Sequence, residues 1–223
     1  MKLSVIIPVY NEINTIAEII ERVKGVPIEK EIIVVDDGST DGTRERMGNI
    51  SGIKVLKHKS NLGKGVAIRT GLALAKGELT IIQDADLEYD PNDYLKLIEP
   101  IDKGEADAVY GSRNLGNNKS GAKAYKWGGI FLSHLANLLY GLRITDEATC
   151  YKLFKTDILK SLNLKCQRFE FCPEVTAKLA KRKYRIKEIP IFYTPRSLSE
   201  GKKIGWTDGL SAIFTLIKLR FFD

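Results

Sequence analysis

The chain has 223 residues, 43% hydrophobic and 28% charged, with a formal net charge of +7. Such a composition fits one folded domain (1–223) with a sizeable core and excludes wholesale disorder. Three cysteines without CxxC spacing and only two histidines exclude a disulfide framework and a zinc site, and fit a reducing compartment.

Residues 3–9, LSVIIPV, read as a buried strand, with Pro8 near its end where a lost N–H matters least. Residues 15–23 place Ile16, Ile19, Ile20 and Val23 on one helical stripe, with Asn14 as N-cap. Residues 31–35 form a second buried strand, and the turn DDGSTDG at 36–42 opens a short helix. A third strand at 54–56 precedes a helix over 64–76, with Gly77 as its C′ residue. A fourth strand at 79–82, a helix at 92–101 and a fifth strand at 108–110 complete the alternation.

After Arg113 the pattern changes. It reads as an apolar helix over 127–142, a strand at 151–154, a helix at 173–183 with Pro in its first turn, and a strand at 185–193. The last segment, 206–222, carries Trp206, Leu210, Ile213, Phe214, Ile217 and Phe221 at helical spacing. The longest uncharged stretch, 127–142, falls short of the ~20 residues a spanning helix needs, so no transmembrane helix is expected. No signal-peptide pattern is read at the N-terminus, and a cytoplasmic location is the expectation that fits the cysteine usage.

Alternating strands and helices at this spacing imply a mainly parallel, Rossmann-like α/β sheet flanked by helices. Ligands bind such sheets at the carboxyl ends of the strands, where Tyr10-Asn11-Glu12, Asp36-Asp37 and Asp84-Asp86-Glu88 fall. Along an extended strand end, Asp84, Asp86 and Glu88 would face one way and converge. Carboxylates that close raise one another's pKa, and Mg²⁺ or Mn²⁺ with phosphate oxygens would resolve the repulsion. The bland alternative is a solvated loop with capping Asp residues. A calcium EF-hand loop fails, because Tyr89 stands where Gly is needed and Leu95 where Glu is needed.

Asp36 and Asp37 could accept hydrogen bonds from a nucleobase or ribose, or serve only as turn residues, the reading kept for Asp41. In Asn61-Leu62-Gly63-Lys64-Gly65, glycines before a helix allow close approach to an anion and Lys64 adds charge. This is not a Walker A loop, since Lys64 is followed by Gly65. His58 reads as a strand-end residue. The positive charge gathers toward the C-terminus, while carboxylate pairs occupy the centre of the site, which argues against nucleic acid as a partner.

The segments SVIIPVYNE, VVDDGSTDGT, NLGKGVA, DADLE, YGSR and PRSLSEGKKI, in that order, resemble the inverting family 2 glycosyltransferases. Within these the chain is most similar to the dolichyl-phosphate mannose or glucose synthase branch. That resemblance implies a GT-A fold, with a nucleotide-sugar part over about 1–113 and an acceptor- or membrane-facing part with C-terminal helices over about 114–223. It implies a nucleotide-diphosphate sugar such as GDP-mannose or UDP-glucose, Mg²⁺ or Mn²⁺, and a dolichyl or polyprenyl phosphate acceptor. By matching positions, Pro8, Tyr10 and Glu12 lie against the nucleotide, Asp37 binds the base with Asp36 beside it, and Lys64 adds a nucleotide-sugar contact. Asp84, Asp86 and Glu88 hold metal and diphosphate, Glu88 standing where the branch often has Gln. Arg113 serves the acceptor phosphate, Arg196 and Lys202 form a basic pair on a loop that closes over donor and acceptor phosphates, and Lys123 or Lys126 replaces a further expected arginine.

The Q-x-x-R-W motif of processive synthases is absent. Asp146-Glu147 falls near the region of a general base, but within ITDEATCYKLF, which resembles the lipid-phosphate branch. A phosphate acceptor is already an anion and needs cations rather than a base, whereas transfer to a sugar hydroxyl, the alternative activity, needs the base. A nucleotidyltransferase would carry a Gly-rich loop where Pro8–Glu12 stands, and a non-catalytic nucleotide-sugar-binding subunit would be expected to have lost a metal carboxylate or the basic loop. A lipid acceptor implies a peripheral position on the cytosolic face of a membrane, or a membrane-protein partner. Residues 127–142 and 206–222, the latter with Lys218 and Arg220, would either meet that surface or pack on the sheet.

Overall fold

The apolar runs form the middle of a seven-stranded sheet. The structure, a computed structural model, describes residues 1–116, 118, 123–196 and 205–222. Its strands are β1 (Leu3–Val9), β2 (Lys30–Asp36), β3 (Lys54–Lys57), β4 (Leu79–Ile82), β5 (Ala108–Ser112), β6 (Lys152–Lys155) and β7 (Ile186–Pro190). They lie in the order β3-β2-β1-β4-β6-β5-β7. β1 and β2 are buried along almost their whole length, as expected of central strands covered on both faces. β6 runs antiparallel to both β4 and β5, and every other pairing is parallel. The expected mainly parallel α/β architecture is therefore the one observed.

The helices are α1 (Ile16–Gly25), α2 (Thr43–Gly48), α3 (Lys64–Leu74), α4 (Tyr94–Asp102), α5 (Lys123–Tyr140), α6 (Thr156–Ser161), α7 (Phe171–Lys181) and α8 (Trp206–Phe221). α1 buries the four residues of the expected stripe: Ile16, Ile19, Ile20 and Val23. Two local expectations are corrected. Thr15, not Asn14, is the N-cap of α1, and Glu12 supplies the carbonyl that takes the first amides, Thr15 N and Ile16 N. Helix α3 ends at Leu74 with Ala75 extended, so Gly77 is no C′ residue. Gly77 instead lies against β1, where a Cβ would stand 2.5 Å from Ser4 N and 2.6 Å from Leu3 C, and its N–H donates to Ser4 Oγ. The six-residue α6 was not anticipated, being too short to show a period.

Helices α5 and α8 pack together at one end of the molecule, with the Tyr140 hydroxyl donating to Leu216 O. Each also has an outward stripe. On α8, Ala212, Leu216 and Leu219 are buried, while Trp206, Leu210, Phe214, Ile217 and Phe221 are exposed, Trp206 by 77%. On α5, Trp127, Phe131 and Leu138 are exposed, Leu138 by 82%. Among the described residues no helix is long and apolar enough to cross a membrane.

Gly77→Ala should destabilise the protein by about 1–3 kcal/mol, because the new methyl meets backbone that cannot move aside. Urea unfolding measures it; a midpoint equal to the wild type would refute the close packing of this turn on β1.

Candidate active site

Strand polarity brings the chemistry to one edge. β1, β2 and β4 are parallel neighbours, so Tyr10, Asp37 and Asp84 leave the sheet on the same side. β5 and β7 point the same way and deliver Arg113 and the segment 191–196. β6 is reversed, so it is the chain entering it, 146–151, that lies at this edge. There a cleft of about 540 Å³ is lined by Pro8, Tyr10, Glu12, Asp37, Lys64, Asp84, Asp86, Glu88, Arg113 and Arg196, among others. One expected residue, Asp36, is not among the lining residues. Lys202 lies outside the described residues. Asp36 is fully buried outside the cleft lining, where it pairs with Arg44 (Nε 2.7 Å, Nη2 2.6 Å) and accepts from Ser39 N. Its expected place beside the nucleotide is thereby corrected: it anchors the turn after β2.

Asp37 is also committed to the protein. Its carboxylate accepts from Leu62 N (2.9 Å) and Gly63 N (2.8 Å), and lies 2.7 Å from His58 Nδ1. Three of its roughly four acceptor positions thus hold the loop before α3, and Asp37 also lines the cleft. Gly63 has φ +101°, and a Cβ there would stand 2.4 Å from Gln167 O, so only glycine lets this loop pass.

The three carboxylates of DADLE line the same cleft, but they do not stack along one face of an extended strand end. The extended conformation ends at Ile82, and Glu88 N donates to Asp86 Oδ1, a local turn that breaks the alternation of faces. Among the described residues no group of three His, Cys, Asp or Glu side chains is placed to hold a metal. Each carboxylate has its own partner instead. Asp84 pairs with Lys64 at 2.5 Å, and Lys64 Nζ also lies 3.4 Å from Cys150 Sγ. Burial pushes Asp84 up, but Lys64 outweighs it and holds the carboxyl below its ordinary value. Asp86 pairs with Arg196 at 3.0 Å, and the same guanidinium reaches both Glu12 oxygens at 3.1 and 3.2 Å. Glu88 accepts from Arg196 N (2.8 Å) and the Tyr193 hydroxyl (3.1 Å), while its carbonyl accepts from Thr194 N. Its extra charge therefore docks the segment that carries Arg196.

Arg113 grips Asp146 with two side-chain bonds of 2.7 Å and with its own N–H at 2.9 Å, and its guanidinium lies over the Tyr193 ring. Burial opposes the charge on Asp146, yet Arg113 keeps its carboxyl below the usual range. Sequence reasoning missed Tyr193 and Arg168, which also line the cleft, and Asp146 as the partner of Arg113. No periodicity or motif marks Tyr193 or Arg168, and Asp146 stood out only as part of a general-base region. Lys126 is exposed on α5, and the side chain of Lys123 is outside the described residues.

Asp84 and Asp86 fit a hard divalent cation. Burial, then the nearby charges of Asp84 and Glu88, push Asp86 up to about 7, with Arg196 working against them. Carboxylate oxygens under mutual repulsion are the donors such a cation prefers.

The family model for Glycosyl transferase family 2 matches residues 4–162. The UDP-N-acetylglucosamine--dolichyl-phosphate N-acetylglucosaminyltransferase of Methanococcus voltae is 31% identical, over 96% of this chain and 94% of that protein. The undecaprenyl-phosphate mannosyltransferase of Micrococcus luteus is 29% identical, over 96% of this chain and 92% of that protein. Among solved structures, glucosyl-3-phosphoglycerate synthase from Mycobacterium tuberculosis, crystallised with Mn²⁺, uridine diphosphate and phosphoglyceric acid, superposes with a TM-score of 0.74. It is 21% identical, and the match covers 100% of this chain and 79% of that one. That likeness shows the shared fold.

The raised Asp86 carboxyl sets a pH dependence. Between the ordinary carboxylate value and about 7, the folded protein keeps a proton that the unfolded chain has lost. This group's stabilisation is complete at low pH and is lost as pH rises through about 7. In a chelator, the melting temperature of Asp86→Asn minus that of the wild type should therefore grow from about pH 5 to about pH 8. A constant difference would refute the assigned crowding.

Proposed function

The chain belongs to glycosyl transferase family 2, and from that premise we propose that it moves a hexose from a nucleotide-diphosphate sugar to a polyprenyl phosphate. The donor is of the GDP-mannose or UDP-glucose type, the cation Mg²⁺ or Mn²⁺, and the anomeric centre is inverted. The observation that carries this reading is one cleft holding two anion-handling sets, Lys64 with Asp84 and Asp86, and Arg113 with Arg196. Two phosphate-bearing substrates need two such sets. The near-full-length relatives named for dolichyl and undecaprenyl phosphate support the acceptor, and their different sugars leave the hexose to the pocket.

In this reading Pro8, Tyr10 and Glu12 border the nucleotide, and Asp37 offers its remaining acceptor position to the base. Asp84 and Asp86 would hold the cation, which when bound takes up negative charge on the leaving diphosphate. Lys64, at the N-terminus of α3, adds a fixed charge and a helix dipole for the same anion. Arg113 is held in place by Asp146, and presents its guanidinium for the acceptor phosphate. Arg196, tied to the nucleotide side through Glu12 and Asp86, brings the C-terminal segment over both substrates. Lys202 is assigned to the same task from its sequence position. The acceptor oxygen then attacks the anomeric carbon opposite the leaving group, and a single displacement inverts it. Positioning and electrostatics suffice because a phosphate oxygen needs no deprotonation.

A lipid acceptor requires a surface. The outward stripes of α5 and α8, with exposed Lys126, Lys218 and Arg220 beside them, have the apolar area and basic rim of interfacial helices. We assign this face to a membrane with anionic lipid.

Incubation with labelled nucleotide sugars, Mg²⁺ or Mn²⁺ and polyprenyl phosphate should place label in the organic phase; label only in water-soluble glycan would overturn the acceptor. Asp86→Ala should lower turnover by about 100-fold or more with the fold intact, and wild-type-like rates would remove Asp86 from the site. The protein should co-sediment with anionic vesicles, and Trp206→Glu with Phe214→Glu should abolish this without lowering the melting temperature. Equal sedimentation of the double variant would refute the assigned face.

A further inference from the structure

Glu147 is 0% exposed yet borders the cleft. Its backbone is pinned from both sides: Ser133 Oγ accepts its N–H (2.8 Å), and Lys152 Nζ donates to its carbonyl (2.6 Å). Of its carboxyl oxygens, Oε1 accepts from Thr176 Oγ1 at 3.2 Å, while Oε2 is buried without a hydrogen-bond partner. Nearby, Thr149 Oγ1 is likewise buried and unpartnered. Orphaned polar atoms are costly in a folded protein and persist where a ligand, an ion or an ordered water completes them.

The ligand group that completes Oε2 can be identified by elimination. The neighbouring cleft residues Leu132, Ala148, Cys172 and Pro173 carry no cation. Lys152, the nearest ammonium, is spent on the carbonyls of Glu147 and Thr149. A phosphate has no reason to lie here when Lys64, Arg113 and Arg196 line the same cleft. A lipid chain has no donor to offer. An uncharged group with O–H donors remains, which the donor carries on its ribose and on the transferred sugar; the ribose goes with the nucleotide assigned to Pro8, Tyr10 and Asp37, which leaves the transferred sugar for Glu147.

We propose that Glu147 is a specificity-determining residue that hydrogen-bonds one hydroxyl of the transferred sugar, an inference that rests on reading the protein as a hexosyltransferase. Burial, more than any neighbouring charge, pushes the Glu147 carboxyl up, so it can meet the hydroxyl as donor or as acceptor. The specificity follows from the orphan itself. A sugar lacking that hydroxyl leaves Oε2 unpaired and is rejected, whereas a site without the carboxyl has nothing to leave unpaired.

The test uses UDP- and GDP-linked glucose, mannose and N-acetylglucosamine, then the 2-, 3-, 4- and 6-deoxy forms of the sugar nucleotide that binds best. Binding is read by thermal shift, and turnover by organic-phase label. In the wild type one deoxy position should be penalised by roughly 10- to 100-fold beyond the others. In Glu147→Met that penalty should vanish. In Glu147→Gln it should persist, with turnover within about tenfold of the wild type, because an amide still pairs with a hydroxyl. Both variants should melt within about 4 °C of the wild type. A deoxy profile unchanged in Glu147→Met overturns the inference. So does loss of turnover in Glu147→Gln with sugar-nucleotide binding intact, which would make Glu147 a general base for a hydroxyl acceptor. A Glu147→Met protein that melts far lower would make the carboxyl a structural member of the core. Failure of lipid labelling with the deoxy profile intact would instead refute the polyprenyl phosphate acceptor and leave this inference standing.

Discussion

Carboxylates gathered at one sheet edge must be neutralised one by one, and that constraint organises the whole carboxyl side of this protein. Asp36 takes Arg44 from α2, Asp84 takes Lys64 from the start of α3, Asp146 takes Arg113 after β5, and Asp86 with Glu12 takes Arg196 after β7. The partners come from separate connections. Each ion pair therefore ties one loop to the edge, and the cleft is framed by electrostatic attachments rather than by apolar packing alone. Buried pairs of this kind contribute little net stability, but losing one partner leaves an uncompensated charge. Their gain is registration of loops that have no secondary structure of their own.

Asp86 is left over-supplied with negative neighbours, and this is a consequence of topology. β4 is central, flanked by β1 and by the reversed β6. The reversal brings the entrance to β6 to the same edge as the exits of β4 and β5, so the 146–151 segment faces the DADLE turn across the cleft. Had β6 run parallel, Asp146, Glu147 and Cys150 would lie at the opposite edge, and Arg113 would lose its anchor. The single antiparallel strand among the described residues is what brings Asp146 and Arg113 to the edge that holds Asp84 and Asp86.

Much of this was legible in the sequence, and the reasons are physical. Buried parallel strands read as apolar runs, so β1, β2 and β4 fall where LSVIIPV, EIIVV and LTII placed them. The edge rule then located Asp37, Asp84 and Asp86 correctly in space. What it could not supply was direction. Glu88 sits two residues beyond Asp86, yet the turn at Asp86 sends it toward Tyr193 and Arg196 N. Asp36 and Asp37 are adjacent, but the alternation that puts one in the cleft puts the other against Arg44. Gly77 follows a helix, yet its reason for being glycine is the backbone of β1, more than seventy residues earlier. Glu147 drew notice only as part of a general-base region, because an unpartnered oxygen is a property of its surroundings.

Helices α5 and α8 show how one element can serve two solvents. Their inner faces supply Leu132, Gly209 and Ala212 to the cleft, while their outer faces expose Trp127, Phe131, Trp206, Leu210 and Phe214. A core helix needs one apolar face, and these have two. A second apolar face exposed to water opposes solubility unless another phase covers it. In the proposed activity that phase is the bilayer, and the thickness of one helix is then all that separates the lipid surface from the cleft wall. A polyprenyl phosphate is amphiphilic in the same sense: its chain belongs outside that layer, and its phosphate belongs with Arg113 and Arg196 inside it.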